Sequence, residues 1–331
     1  MRTLPDATLE RLRDACEAPD LDHPRYRALE RIGRGGMGTV YLAEDLELGR
    51  RVALKVLHAG DSADAVERMR EEARVLARLE HPGIVPVHDV GTLADGRVFY
   101  VMRWVQGRRL DEHVRGNPSR GDRLRLFVRL CDAVAFAHAH GVVHRDLKPA
   151  NVMVGAFGEA ITMDWGLARV MSPAGDAGSV SGAPTRPGAS SEAGDTATGT
   201  VLGTPGWMAP EQAAGGSAAA DARADVWALG AILRFLLTDV APGAGAPGAR
   251  LPRALEAIAS KAMAADPSAR YEGALDLGED VARWLDSEPV RAHRESPLEK
   301  AGRLAARHRV AIALVSAYVA ARLLLFIAGR G

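Results

Sequence analysis

Apolar and polar positions alternate in short runs through the first third of the chain. Residues 28–32 and 39–43 flank a cluster of glycines, and 51–57 forms a third alternating run. Such two-residue periods, rich in β-branched and aromatic side chains, predict strands. The period then changes. Over 64–79, Val66, Met69, Ala73, Leu76 and Leu79 fall on one face of a helix. Strand-like runs return at 84–90 and 98–105, and beyond residue 120 long apolar faces at 122–140, 223–238 and 253–265 predict helices. Residues 1–25 form a polar lead with one amphipathic patch, Leu4, Leu9 and Leu12. No internal repeat of fixed period is visible.

Composition narrows the classes. The 331 residues include 42 Lys+Arg and 42 Asp+Glu, with 47% apolar and 25% charged positions, the balance of an ordinary globular protein. A net charge of zero argues against nucleic-acid binding, which normally draws on a basic excess. The cysteines Cys16 and Cys131 cannot build a disulfide framework or a structural zinc site. The charged N-terminus does not read as a signal peptide, so the first residues are expected to stay in the cytoplasm. Two stretches stand apart. In 172–199 all but five of the residues are Gly, Ala, Ser, Pro or Thr, too little apolar surface to offset the entropy of ordering, so mobility is expected. Residues 310–328 carry a single charge, Arg322.

The glycine cluster Gly33-Arg34-Gly35-Gly36-Met37-Gly38 fits G-x-G-x-x-G, a spelling shared with dinucleotide-binding turns. Those need a helix directly after the glycines. Here Thr39-Val40-Tyr41-Leu42-Ala43 continues as strand, which puts the glycines at a hairpin tip, free of side chains and able to offer backbone N–H groups to phosphates. A plain glycine-rich hairpin is the other reading. Lys55 in the apolar run Val52-Ala53-Leu54-Lys55 needs a counter-charge if it is buried. Glu72 on the following helix is suited to that role, whereas Glu71 points about 100° away round the helix.

The most specific string is His144-Arg145-Asp146-Leu147-Lys148-Pro149-Ala150-Asn151. With the glycine loop and Lys55, and with Asp164-Trp165-Gly166, Gly203-Thr204-Pro205, Ala209-Pro210-Glu211, Asp225-Val226-Trp227 and Arg270, it resembles the bacterial eukaryotic-like (Hanks-type) serine/threonine protein kinases. The resemblance covers about residues 26–285. It implies an α+β, bilobal fold, with a β-rich N-lobe over 26–105 and a mostly helical C-lobe over 106–286. It implies phosphoryl transfer from ATP with Mg²⁺, or Mn²⁺ as substitute, to Ser/Thr hydroxyls of protein substrates, in bacterial signalling.

The roles the resemblance implies are these. Asp146 accepts the substrate hydroxyl proton, Lys148 neutralises the γ-phosphoryl, and Lys55 with Glu72 holds the α- and β-phosphates. Asn151 and Asp164 supply oxygen ligands to the metal. The ATP site comprises Ile32, Gly33, Arg34, Gly35, Gly36, Met37, Gly38, Val40, Ala53, Lys55, Met102, Trp104, Val105 and Met153. Val40, Ala53 and Met153 sandwich the adenine, Met102 is the gatekeeper, and Arg103 stands in the hinge where the family often has an acid. Trp165 replaces the usual Phe, so a larger ring must pack against His144 and Leu76, with its effect expected on the switching equilibrium. Thr204 meets Asp146 and Lys148; Glu211 pairs with Arg270; Asp225 holds the catalytic-loop backbone. Arg145 pairs with a phosphate on the activation segment, where Thr196, Thr198 and Thr200 are candidate autophosphorylation sites, Thr198 favoured, with linker filler as the alternative. Self-association for trans-phosphorylation follows from that reading. Between Thr238 and Leu251 the lower lobe is trimmed on a surface that usually docks substrates. A pseudokinase is the competing class, disfavoured because Lys55, Glu72, Asp146, Asn151 and Asp164 are all present.

The tail adds a membrane expectation. Residues 310–328 would span about 28 Å as a helix. Its ten Leu, Ile, Val and Phe residues contribute roughly −3 to −6 kcal/mol, against at most about +3.5 for Arg322. Residues 287–309 read as a basic juxtamembrane linker. From 291 to 309 six Lys/Arg stand against two Asp/Glu, which predicts a cytoplasmic flank and leaves an acidic body. The expected localisation is a cell-membrane protein, single-pass, with the catalytic domain cytoplasmic; a helix closing the lobe of a soluble protein is the alternative.

Overall fold

The computed structural model describes residues 23–35, 38–58, 62–165, 169–170, 204, 206–214, 221–243, 251–307 and 314–322. Its upper lobe is a five-stranded antiparallel sheet built from β1 (Tyr26–Gly35), β2 (Gly38–Asp45), β3 (Arg50–Val56), β4 (Val87–Thr92) and β5 (Val98–Arg103), in the order β1-β2-β3-β5-β4. Helix α1 (Ala63–Ala77) covers one face, capped by Ser62, whose side chain accepts from Ala65 N. The predicted face of this helix is the buried one: Met69, Ala73, Leu76 and the following Leu79 lie in one apolar cluster with Ala53, Tyr100 and Met102 of the sheet. A second cluster, on Tyr26, Leu54, Phe99 and Val101, fills the opposite face. The alternation along β3 and β5 thus feeds two cores.

The lower lobe is helical. After the short β6 (Gly107–Arg109) come α2 (Leu110–Arg115) and α3 (Arg120–Ala139). The strands β7 (Val142–Val143), β8 (Val152–Gly155), β9 (Ala160–Thr162) and β10 (Arg169–Val170) follow, then α4 (Pro210–Ala213), α5 (Ala222–Thr238), α6 (Arg253–Ala262) and α7 (Ala274–Leu285). Helix α5 is buried nearly throughout and forms one core with α3, α6 and α7. Strand β8 pairs with both β6 and β9, and β7 with β10, so two small ladders bound the loop between Val143 and Val152. Close approach sets two glycines. A Cβ on Gly38 would stand 2.4 Å from the Val56 carbonyl oxygen, and one on Gly278 would stand 2.8 Å from Cys131 Cβ, where α7 meets α3.

The C-terminal region departs from the expected linker. Asp280 of α7, fully buried, accepts the backbone N–H groups of Arg291 (2.5 Å) and Ala292 (3.0 Å) and the Tyr271 hydroxyl (2.8 Å). Val290 is buried against the helical core. Helix α8 (Pro297–Arg307) follows, with Arg303 donating to both carboxylate oxygens of Glu295 and to the Ser287 carbonyl. Residues 287–303 therefore dock on the lower lobe, because a buried carboxylate needs donors and these amides supply them. Of the expected 310–328 span, residues 314–322 are helical and exposed, and the remainder lies outside the described residues. No helix among the described residues is long and apolar enough to cross a membrane. The 1–22 lead and the 172–199 stretch also lie outside the described residues.

Gly278→Leu should destabilise the fold by about 1–3 kcal/mol through overpacking against Cys131, although intrinsic helix propensity favours Leu there. Denaturant melts of the two proteins measure the difference; an unchanged midpoint would contradict the close contact.

Candidate active site

The site lies where the sheet of the upper lobe faces the loop between β7 and β8. Strand β3 carries Lys55 inward, and its Nζ lies 2.9 and 3.1 Å from the two oxygens of Glu72 on α1 and 3.2 Å from Asp164 Oδ1. The Tyr100 hydroxyl donates to Glu72 Oε1 at 3.0 Å. Burial disfavours the ammonium, but Tyr100, Glu72 and Asp164 outweigh it and hold the Lys55 pKa well above its usual value. Burial likewise pushes the Asp164 carboxyl up, and Lys55 more than reverses this, leaving it below the ordinary range. Glu71 is exposed and pairs with Arg74.

Above this cluster β1 and β2 pair as a hairpin, with Gly33 opposite Val40 and Gly35 opposite Gly38. Gly33, Gly35 and Gly38 thus flank the turn, Ile32 and Arg34 are exposed on its first arm, and Gly36 and Met37 lie outside the described residues. Val40, Ala53, Met102, Trp104, Val105 and Met153 belong to one apolar cluster, drawn from both lobes. Arg103 ends β5 opposite Val52, and its N–H donates to the Pro86 carbonyl.

The loop is held from below by one carboxylate. Asp225, 1% exposed at the start of α5, accepts His144 N and Arg145 N at 2.8 Å each, and His138 Nε2 at 2.8 Å. Arg145 takes a left-handed backbone, φ +71°, a conformation that costs about 1–3 kcal/mol and persists only when its surroundings fix it. Asp225 fixes its N–H, and Gln212 Nε2 donates to its carbonyl at 3.1 Å.

Asp146 is thereby presented to the cleft. Lys148 Nζ lies 2.7 Å from its Oδ2, and Thr204 donates from N (3.0 Å) and Oγ1 (3.1 Å) to its Oδ1. Lys148 Nζ also donates to Thr204 Oγ1 at 2.6 Å. Asn151 commits its Nδ2 to Asp146, through the carbonyl at 2.9 Å and Oδ2 at 3.3 Å, and so presents its side-chain carbonyl as an acceptor. Asp164, also left-handed at φ +58°, keeps its side chain 55% exposed. These two oxygen donors suit a hard divalent cation. Among the described residues no cluster of three or more His, Cys, Asp or Glu gathers as a metal site.

Trp165 is 1% exposed, with its ring 4.6 Å from that of His144 and in one cluster with Leu76. Its indole N–H is buried without a partner among the described residues, a loss worth about 1–3 kcal/mol. Glu211 and Arg270 form a bidentate pair at 2.7 and 2.8 Å. Burial raises the Glu211 pKa and Arg270 more than reverses the rise. Thr196, Thr198 and Thr200 lie outside the described residues. Sequence reasoning missed Tyr100, His138 and Gln212. Each acts through a partner 28 to 87 residues away, and a lone histidine on a helix carries no signal of such a pairing.

Asp225→Asn should lower stability by about 3 kcal/mol or more, since one oxygen must now face an N–H with an NH₂ group. It should also change the pH response. Burial opposes ionisation of Asp225, but His138, His144 and the backbone donors overcome it, so its folded pKa lies below the ordinary 3.8. Its stabilisation is complete above about pH 4 and fades as the pH falls through the folded value. Urea midpoints from pH 3 to 7 should therefore fall more steeply on acidification in the wild type than in the variant; parallel profiles would refute the assignment.

Comparison with known proteins agrees with this geometry. Residues 26–269 match the family model described as protein kinase domain. The chain is 35% identical over 294 residues to the serine/threonine-protein kinase PknB of Mycobacterium tuberculosis, covering 81% of this chain and 44% of that protein. It is 33% identical over 294 residues to the serine/threonine-protein kinase PrkC of Bacillus subtilis, covering 82% and 42%. It is 33% identical over 298 residues to the serine/threonine-protein kinase PknD of Chlamydia felis, covering 80% and 31%. The matched part spans less than half the length of these relatives.

Proposed function

The chain belongs to the protein kinase domain family, and on that premise we propose that it is a serine/threonine protein kinase, transferring the γ-phosphoryl group of ATP to protein hydroxyls in bacterial signalling. The observation that carries the reading is the Asp146 carboxylate, held by Lys148, Thr204 and Asn151 across the cleft from the Lys55–Glu72–Asp164 cluster.

In this reading Asp146 orients the incoming hydroxyl and takes up its proton. Lys148, already within reach of both Asp146 and Thr204, offsets charge on the transferring group. Lys55, kept protonated and aimed by Glu72 and Tyr100, contacts the α- and β-phosphates beneath the glycine hairpin. The cluster of Val40, Ala53, Met102 and Met153 receives the adenine, with the backbone of 103–105 bonding the base. Asn151 and Asp164 would hold Mg²⁺, which supplies charge neutralisation at the phosphates. Phosphoryl transfer asks for positioning and electrostatic stabilisation more than covalent help, and these side chains are fixed before substrate arrives.

The kinase domain is assigned to 26–286. Thr196, Thr198 and Thr200 are the proposed autophosphorylation sites, reached by a second copy. Transfer from radiolabelled ATP to the protein itself and to a generic basic protein should fall at least about a hundredfold in Asp146→Asn, with label in the wild type mapping to 196–200. Equal labelling of both proteins would overturn the catalytic assignment of Asp146, and no labelling of either would favour a pseudokinase.

The tail is read as a membrane contact. Leu314, Val315, Tyr318 and Val319 are each more than half exposed on the described helical residues 314–322, an apolar surface that a lipid phase would cover. A single-pass anchor at 310–328, with the catalytic domain cytoplasmic, is the reading that uses this surface. Carbonate washing of membranes tests it: retention of the full chain supports a span, and complete release leaves a soluble or peripheral protein.

A further inference from the structure

The turn between β8 and β9 is fixed by backbone and side-chain bonds. Gly155 N donates to the Glu159 carbonyl at 3.0 Å, and Gly158 N to the Gly155 carbonyl at 3.1 Å. Phe157 N donates to Glu159 Oε2 at 2.9 Å, and Arg129 of α3 donates to the Gly158 carbonyl. Gly158 is left-handed, φ +77°, and a Cβ on Gly155 would stand 2.4 Å from Glu159 Oε2, so both positions call for glycine. On this support Phe157 is 92% exposed, the most exposed large apolar residue among those described. Single exposed apolar side chains are ordinary. An aromatic ring at the apex of a pinned turn, flanked by cations, is a more specific arrangement.

Arg103 and Arg129 are both exposed, and both act electrostatically on Glu159, whose carboxylate is turned in to the Phe157 N–H. Among the described residues neither arginine has a carboxylate at ion-pair distance. Arg108, also exposed, stands on β6 opposite Val154 in the same ladder. Three arginines thus stand against Glu159 here and Asp286 further along. The chain departs toward its tail from the same corner. Arg129 lines a cavity of about 300 Å³ with Ala282, Leu285 and Asp286 at the C-terminal end of α7. Arg303 of α8 donates to the Ser287 carbonyl at 3.2 Å. Helix α8 therefore returns to this end of α7 before the chain continues to the exposed Leu314, Val315, Tyr318 and Val319.

We propose that the β8–β9 turn docks on an anionic membrane surface, with Phe157 entering the headgroup layer and Arg103, Arg108 and Arg129 meeting acidic headgroups. Charge complementarity selects this occupant. Aromatic rings settle at headgroup depth, and arginine stems lie along apolar surface while their guanidinium groups stay at the polar boundary. Each arginine near such a surface corresponds to about fivefold in binding, and burial of the ring to roughly tenfold. The contact goes beyond the tail reading and does not require the tail to span. With the tail inserted, docking becomes intramolecular and is favoured further.

Fluorescence quenching tests this on the full chain. An NBD probe is attached at Ala156→Cys, beside Phe157, in a Cys16→Ser background; the remaining Cys131 is buried and protected. A reference probe sits at Glu67→Cys, exposed on α1. Vesicles of phosphatidylcholine and phosphatidylglycerol with a headgroup nitroxide should quench the probe at 156 and spare the one at 67. Vesicles of phosphatidylcholine alone should quench far less. Phe157→Ser should lower the ratio of docked to free turn about tenfold, and Arg103→Ala about fivefold. Urea midpoints should stay unchanged, because both side chains are exposed. Equal quenching at 156 and 67, equal quenching by both kinds of vesicle, or quenching that both variants leave intact overturns the proposal. So does an absence of quenching at 156, which would point to a protein as the occupant. The tail is scored separately. Quenching at 156 in a chain that carbonate releases keeps the docking and removes the span, and retention without quenching does the reverse.

Discussion

One buried carboxylate organises the lower half of the molecule. Asp225 is enclosed by protein and would be costly there without donors. Its partners are the backbone amides of His144 and Arg145 and the imidazole of His138. The direction of dependence matters. The strained backbone at Arg145 is held because Asp225 and Gln212 pin its two peptide groups, and Asp146 faces the cleft because Arg145 is so held. Helix α5 can serve as the post for this arrangement because nearly all of its side chains are themselves buried.

The upper half solves a different problem. A lysine inside a β-sheet is stable only if counter-charges surround it, and here they come from three directions. Glu72 arrives on α1, Asp164 on the loop after β9, and Tyr100 on the neighbouring strand through its bond to Glu72. Because Asp164 belongs to the lower lobe, this cluster also ties the two halves together at the cleft. Trp165, next in sequence, seals the joint from the apolar side, its ring tilted against His144 while its indole N–H goes unpartnered among the described residues. The joint therefore carries both a strong electrostatic contact and a local penalty, which bears on how readily it opens.

Much of this was legible in the order of residues. The phase of α1 follows from its apolar spacing, and the same phase sends Glu72 inward and Glu71 out to Arg74. The hairpin form of the glycine loop follows from the strand-like residues after it. What escaped the sequence were contacts between distant positions, such as His138 with Asp225 and Tyr100 with Glu72. The region after residue 286 escaped for the same reason. Its basic composition suggests a solvated linker, yet the amides of Arg291 and Ala292 are captured by Asp280. Composition describes side chains, whereas this docking depends on backbone groups finding a buried acceptor.

By itself, then, the sequence determined which segments form strands and helices, which face of each turns inward, and which residues carry charge suited to phosphate, metal and hydroxyl. Those are local properties, set by periodicity and by the chemistry of single side chains. Only the tertiary structure decided which charges neutralise one another and where space remains. In the opening between α2 and α5, Asp239 found Arg123 and Lys148 found Asp146, whereas Asp111 Oδ1 is buried without a partner among the described residues. Pairing energies fall steeply with distance, and distance between residues far apart in the chain is fixed only when the chain is folded.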